Sequence, residues 1–364
     1  MKQRISLILG VYVVMALSNA VVPVLPAFAE DAPAIQGAIF SAYFLGAFLT
    51  VLPAGLLSDR IGKAPLIRIG LLFTLLSGIV ILLFHNTPLP LILARSLEGI
   101  GAGLFIAGAL SWVNSQEDHS ALSGYFFAFL NLGLVTGLLA TGWLNDLAGR
   151  TGGLEFFTVI SIVPLLFSIF VRETASDKQK KVQLSTILSS YKWLYISALV
   201  LVGVTGVVTA LYPEFTSNSP ALLSIQIGTM NVATIVTSLA APRFGLRPVP
   251  TIRAGAVLMG IAVIGSFFAP ELGPFVVLID FALIGAIAGF IIIAQMDFLA
   301  KTGVQQGAVV GLFNTATYAG MTFLPFTASL IAQEASFFMA FAVMGVLACT
   351  MALFIGRCDC DAAL

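Results

Sequence analysis

Two ionisable side chains, Arg95 and Glu98, interrupt an otherwise apolar run, LILARSLEGIGAGL, from Leu91 to Leu104. A spacing of three places them on one face of a helix. An arginine keeps its proton in a protein. A carboxyl can take one up, and burial and a neighbouring cation pull its proton affinity in opposite senses. A movement that separated Arg95 from Glu98 would therefore change how tightly Glu98 holds a proton. That chemistry suits exchange, with a proton entering as a substrate leaves. It competes with a static role in which the ions only brace neighbouring helices. A third ionisable group, Asp280, lies in a similar run, LIDFALIGAIAG. It is expected at the depth of the Arg95/Glu98 pair, or alternatively near the outer end of its helix and wet. With both acids ionised the three groups sum to one negative charge, which favours cationic or neutral amphipathic ligands over anions.

The elements that hold these residues are built for lipid. The chain of 364 residues is 59% hydrophobic and 9% charged. Soluble domains are about 45–50% apolar and about 25% charged. The apolar residues come in continuous blocks of roughly 20, the length a helix needs to cross hydrocarbon, which excludes a transmembrane β-barrel. Twelve such blocks are read at 5–29, 35–57, 65–84, 89–113, 121–144, 154–171, 191–212, 219–240, 249–269, 274–298, 305–332 and 336–356. The first begins with a basic stretch, and Ala27 to Ala29 imitate a signal-peptidase site. Its length and its two prolines, Pro23 and Pro26, argue for an uncleaved span. The polar break from Arg172 to Ser190 is read as a linker, giving a six-helix bundle over 1–171, a linker over 172–190 and a second bundle over 191–364.

Direction follows from the basic residues. With the N-terminus in the cytoplasm, every Lys and Arg falls inside except Arg150 and the intramembrane Arg95. Both termini are then cytoplasmic. A shift of 183 residues superposes Arg60 on Arg243, Gly62 on Gly245, Gly124 on Gly307, Asn131 on Asn314 and Gly137 on Gly320. One residue of slip adds Gly101 on Gly285 and sets Asp280 at Leu97 or Ser96. Halves of six helices enter the membrane from the same side, so the repeats are parallel, an arrangement of transporters with a site between the halves.

Polar groups inside hydrocarbon face protein or a water-filled cavity. Asn19, Gln36, Tyr43, Asn131, Gln226, Asn231 and Asn314 are therefore candidate cavity residues. Hydrogen bonding between helices is the competing explanation for each. The third, sixth, ninth and twelfth spans carry no charge away from their ends and are read as lipid-facing supports.

The loop GLLSDRIGK, Gly55 to Lys63, combines a small residue expected to allow close helix contact, an acid able to cap a helix or pair with Arg60 or Lys63, and Gly62 for a turn of positive φ. It has the makings of an ionic latch. Gly55, Asp59, Arg60, Gly62 and Lys63 resemble the loop signature of the major facilitator superfamily, and SLAAPRFGLR resembles a weakened second copy with Pro242 in place of the acid. Within the superfamily the chain is similar to the twelve-helix drug/proton antiporters. VVPVLP resembles the end of their first helix. Arg95, Gly99 and Gly101 match their fourth-helix pattern, with Glu98 where glutamine is usual. Gly133, Gly137 and Gly142 match part of the fifth-helix antiporter motif, but Leu138 and Thr141 replace its proline and a glycine, and a plain packing role remains open.

The resemblance implies an all-α membrane protein of two pseudo-symmetric six-helix bundles, working by alternating access. It implies proton-coupled efflux of small amphipathic compounds, with an importer or facilitator of a metabolite as the alternative. A monomer in a prokaryotic cell membrane is expected. Zero net charge gives no basic surface for nucleic acid. No zinc-protease, nucleophile-elbow or P-loop motif is present, so neither enzyme chemistry nor a cofactor or metal is expected. Energy must come from an ion gradient or the substrate's own. Cys358 and Cys360 in the tail suggest no disulfide framework.

Overall fold

The computed structural model describes residues 2–29, 32–116, 119–173, 188–300 and 306–356. Twelve long helices account for nearly all of them: α1 (Lys2–Ala20), α2 (Pro33–Ile61), α3 (Lys63–Phe84), α4 (Pro88–Asn114), α5 (His119–Ala148), α6 (Gly152–Ser168), α7 (Lys192–Phe215), α8 (Pro220–Ala240), α9 (Pro248–Leu272), α10 (Pro274–Ala300), α11 (Gln306–Glu334) and α12 (Phe337–Phe354). Ten of the described segments are long and apolar enough to cross a membrane, and α6 is a shorter apolar helix. The first span runs past α1 through a tight turn at Val22–Val24 into Leu25–Ala29, where Pro23 and Pro26 break the regular ladder. The tail cysteines and most of the linker lie outside the described residues.

Local chemistry sets the boundaries. Five helices, α2, α4, α8, α9 and α10, open on a proline, which costs no hydrogen bond at the first helical position. Ser336 caps α12, its hydroxyl accepting from the Met339 N–H at 3.2 Å. Gly62 has φ +94°, so the positive-φ turn expected between α2 and α3 is present.

The chain divides into two compact units. The first comprises Met1–Asp31, Ala38–Lys180 and Asn218–Ile225; the second comprises Ala32–Gly37, Lys181–Ser217 and Gln226–Leu364. The first turn of α2 thus belongs to the second unit. Gln36 donates there to the Ala210 carbonyl, and the Ala34 N–H donates to Gln333.

Within each unit, glycines let helix backbones touch. Apolar burial drives little association in lipid, so close packing of small residues carries it instead. In the first unit a Cβ on Gly99 would overlap the Tyr43 carbonyl of α2, and one on Gly103 would overlap the Thr50 hydroxyl. In the second unit Gly285 meets the Met230 carbonyl and Gly289 the Thr237 hydroxyl in the same way. Gly137 of α5 lies on the Ala16 carbonyl, and Gly320 of α11 on the Leu199 carbonyl. The 183-residue shift relates both members of this last pair. The fourth helices follow a different register. Gly99 and Gly103, not Gly101, correspond to Gly285 and Gly289, because the residues that meet a neighbouring backbone are the structural equivalents. Gly101 faces α3, against the Gly70 carbonyl. Asp280 therefore corresponds to Ala94 rather than to Leu97 or Ser96.

Gly55 also departs from expectation. A Cβ there would meet nothing within 4 Å among the described residues, so the close helix contact expected of it is not made among them. Replacing Gly137 with valine forces a side chain into the Ala16 backbone and should cost about 1–3 kcal/mol, read as a clear fall in unfolding temperature in detergent. Gly55→Ala should leave that temperature unchanged.

Candidate functional site

Arg95 and Glu98 lie on α4 with side chains 2% and 0% exposed. Their ion pair closes at 2.5 Å, from Arg95 Nη1 to Glu98 Oε2. The Tyr43 ring of α2 covers the guanidinium, 4.9 Å from its carbon to the ring centroid, and Tyr43 is itself buried. The glycine contacts explain this convergence. Gly99 rests on the Tyr43 carbonyl, and a Cβ on Gly46 of α2 would overlap the Ser96 carbonyl of α4. Backbones this close bring the ring over the neighbouring arginine. Two polar atoms of the cluster remain without a hydrogen-bond partner, Arg95 Nε and Glu98 Oε1. A buried polar atom without a partner is costly, so Glu98 Oε1 holds unused capacity for a proton or a donor, and Arg95 Nε for an acceptor.

Asp280 lies in the second unit. Ser266 of α9 donates to its Oδ2 at 2.6 Å, and its Oδ1 lies beside Gly265. Its side of α10 is the one turned to α9.

The candidate cavity residues separate by partner. Asn19 donates to the Leu134 carbonyl of α5 at 2.9 Å, next to the contacts that Gly133 and Gly137 make with α1. These three residues form one α1–α5 seam. Gly142 lies apart from it, against Ser224 and the Pro220 carbonyl. Gln36 is buried, its Nε2 committed to Ala210 and its Oε1 unpartnered. Asn131 is half-buried and bonds back to its own helix at the Phe127 carbonyl. Gln226 is buried on α8, while Asn231 on α8 and Asn314 on α11 are half-buried. Tyr43 of this group lies against the ion pair.

In the loop signature the side chains of Asp59 and Arg60 lie outside the described residues. The N-terminus of α3 is nonetheless capped, by a residue the sequence reading passed over. Glu173, just past the sixth span, accepts from the Lys63 N–H at 3.0 Å and the Ala64 N–H at 2.8 Å. A carboxylate there satisfies free donors and complements the helix dipole. Arg68 of α3 answers in the opposite direction, donating to the carbonyls of Ser168, Ile169 and Val171 at the end of α6. Trp112 adds a bond to the Arg172 carbonyl. In the second unit Arg253 of α9 donates to the Ile355 carbonyl after α12. A shift of 185 residues in the third helices would have revealed the Arg68/Arg253 pair.

Known proteins agree with this architecture. The chain is 25% identical over 243 residues to the quinolone resistance protein NorA of Staphylococcus aureus strain MRSA252, covering 62% of each chain. It is 30% identical over 146 residues to an uncharacterised MFS-type transporter of Mycobacterium tuberculosis H37Rv, covering 39% of this chain and 21% of that protein. It thus spans less than two thirds of either relative. A D-xylose-proton symporter has the same fold, with a TM-score of 0.77 at 13% identity over 98% of both chains. The nucleoside transporter NupG follows at 0.76 and 14%, over 96% of this chain and 98% of that one. The pattern of the Major Facilitator Superfamily matches residues 7–320, and with twelve helices in two internally repeated sets the chain belongs to that superfamily of membrane-embedded, multi-pass transporters.

Proposed function

We propose that this transporter exports small cationic or neutral amphipathic compounds in exchange for protons, and that Glu98, held by Arg95, carries the coupling proton. The observation that carries the reading is the buried Arg95–Glu98 pair itself. The register of the glycine contacts places Phe281 and Ile284 of α10 where α4 has Arg95 and Glu98, and both are fully buried. The same scaffold packs there without charge, so packing alone does not call for an ion pair. Separating the pair exposes a titratable acid in a low-dielectric site, where the gain or loss of one proton changes the local charge. Asp280, bonded to Ser266, is the second acid in reach of the same chemistry. Resemblance to a quinolone resistance protein supports outward transport. The distribution of Lys and Arg supports cytoplasmic termini, and two repeats within one chain need no partner copy.

Reconstitution in liposomes with an imposed pH gradient and a panel of fluorescent cations tests the proposal. Substrate and protons should move in opposite directions, and Glu98→Gln should abolish uptake driven by the gradient. Uptake unchanged in both Glu98→Gln and Asp280→Asn would sink the coupling proposal. Protons moving with the substrate would establish the importer reading instead. A brace and a proton carrier also differ in stability. Glu98→Ala alone should cost about 3–5 kcal/mol by stranding a buried cation. Arg95→Phe combined with Glu98→Ile, which copies α10, should unfold near the native temperature yet lose proton-driven uptake.

A further inference from the structure

The two fourth helices provide an internal control. Each crosses the second helix of its own repeat at a pair of glycines four residues apart, Gly99 and Gly103 or Gly285 and Gly289. In the second unit the residue whose carbonyl meets the first glycine is Met230, with Phe281 and Ile284 on α10. In the first unit the same three places hold Tyr43, Arg95 and Glu98. Three apolar side chains are thus exchanged, as a set, for an aromatic ring, a cation and an acid. At the equivalent place of the second unit a buried methionine, Met230, is accepted. What tyrosine adds is a flat π face, and the structure lays it on the guanidinium.

We propose that Tyr43 is the positioning residue of the Arg95–Glu98 pair. Its ring holds the guanidinium against Glu98 and keeps water from the carboxyl, and its departure opens Glu98 to protons. The assignment rests on the reading of Glu98 as the proton carrier. Several observations support it. Tyr43 is 3% exposed and Glu98 is 0% exposed, so in this conformation both the ring and the carboxyl are buried. Arg95 Nε has no hydrogen-bond partner, so the ring is a main restraint on the guanidinium besides Glu98. A desolvated cation over an aromatic face is held more firmly than an exposed one. The ring's place is fixed by the backbone contacts of Gly99 and Gly46. A slide or rotation of α2 against α4 therefore moves the ring directly. Transported substrate need not touch Glu98; it need only favour one arrangement of the α2–α4 crossing.

The test is water access to Glu98 in the purified full chain. A water-soluble carbodiimide with an amine nucleophile labels solvent-accessible carboxyls, and peptide mass locates the label. Native protein and Tyr43→Phe should label Glu98 slowly and alike. Tyr43→Ala should label it about tenfold faster or more, the scale of a desolvated cation–π contact. If Tyr43→Ala does not fold, Tyr43→Met takes its place, since the equivalent crossing accepts methionine, and faster labelling is again expected. Labelling at the native rate in whichever of these two variants folds overturns the proposal. So does equally fast labelling in Tyr43→Phe, which would assign the restraint to the hydroxyl. Proton-driven uptake, measured separately, tells the two readings apart. Normal uptake in Glu98→Gln removes the coupling reading and leaves the labelling result standing. Lost uptake in Glu98→Gln with unchanged labelling in Tyr43→Ala removes the role of Tyr43 alone.

Discussion

Backbone-to-backbone contact at glycine governs this molecule. In hydrocarbon, helices gain little by hiding leucine from a solvent that is itself apolar, so how closely two backbones approach decides which helices pair and in what register. Gly99 on the Tyr43 carbonyl and Gly137 on the Ala16 carbonyl set two crossings of the first unit; Gly285 on Met230 and Gly320 on Leu199 set the matching crossings of the second. The functional cluster follows from the first of these. The Tyr43 ring lies 4.9 Å from the guanidinium at the same crossing where Gly99 meets the Tyr43 carbonyl.

The buried ion pair takes its meaning from that scaffold. Removing two charges from water costs several kcal/mol per ion, and their attraction offsets this only when the geometry is close and the remaining polar atoms are satisfied. Here the geometry is close, but Glu98 Oε1 and Arg95 Nε lack partners. The equivalent places on α10, filled by Phe281 and Ile284, meet the same packing demand with no such cost. A less favourable arrangement kept in one repeat and replaced by hydrocarbon in the other fits a component that must change state. Fully satisfied ions would resist separation, whereas a pair with spare hydrogen-bonding capacity has a second arrangement available to it.

Much of the fold was legible because it rests on short-range or periodic signals. Apolar blocks gave the helices, prolines marked where five of them begin, and Gly62 marked a turn. The fifth-helix repeat, Gly137 with Gly320, was legible because the offset of 183 is conserved on both sides of the α1–α5 and α7–α11 contacts. The fourth-helix repeat was misaligned because several glycines crowd the segment and identity alone does not say which neighbour each one meets. That error carried Asp280 to the wrong register position. Gly55 matched a loop pattern yet a Cβ there would meet no described atom within 4 Å, since a pattern records residue type and not contact. Arg95 and Glu98 stood out as charges in lipid, but the part of Tyr43 depended on a crossing that no local pattern encodes.

Glu173 and Arg68 show the same limit from another side. Each lies near a helix end about a hundred residues from its partner, and each looks like an ordinary charge in a polar break. In the structure they form a reciprocal clasp. The acid after α6 satisfies the N-terminus of α3, and the base of α3 satisfies the C-terminus of α6. The charges oppose both helix dipoles in the favourable sense. The clasp also bears on Gly62 beyond its φ of +94°, because a Cβ there would displace the Glu173 carboxylate. The loop signature in this chain is therefore completed by a residue outside it. The start of the polar segment is tied to α3 through that carboxylate, so a displacement of α3 is felt just past the end of α6.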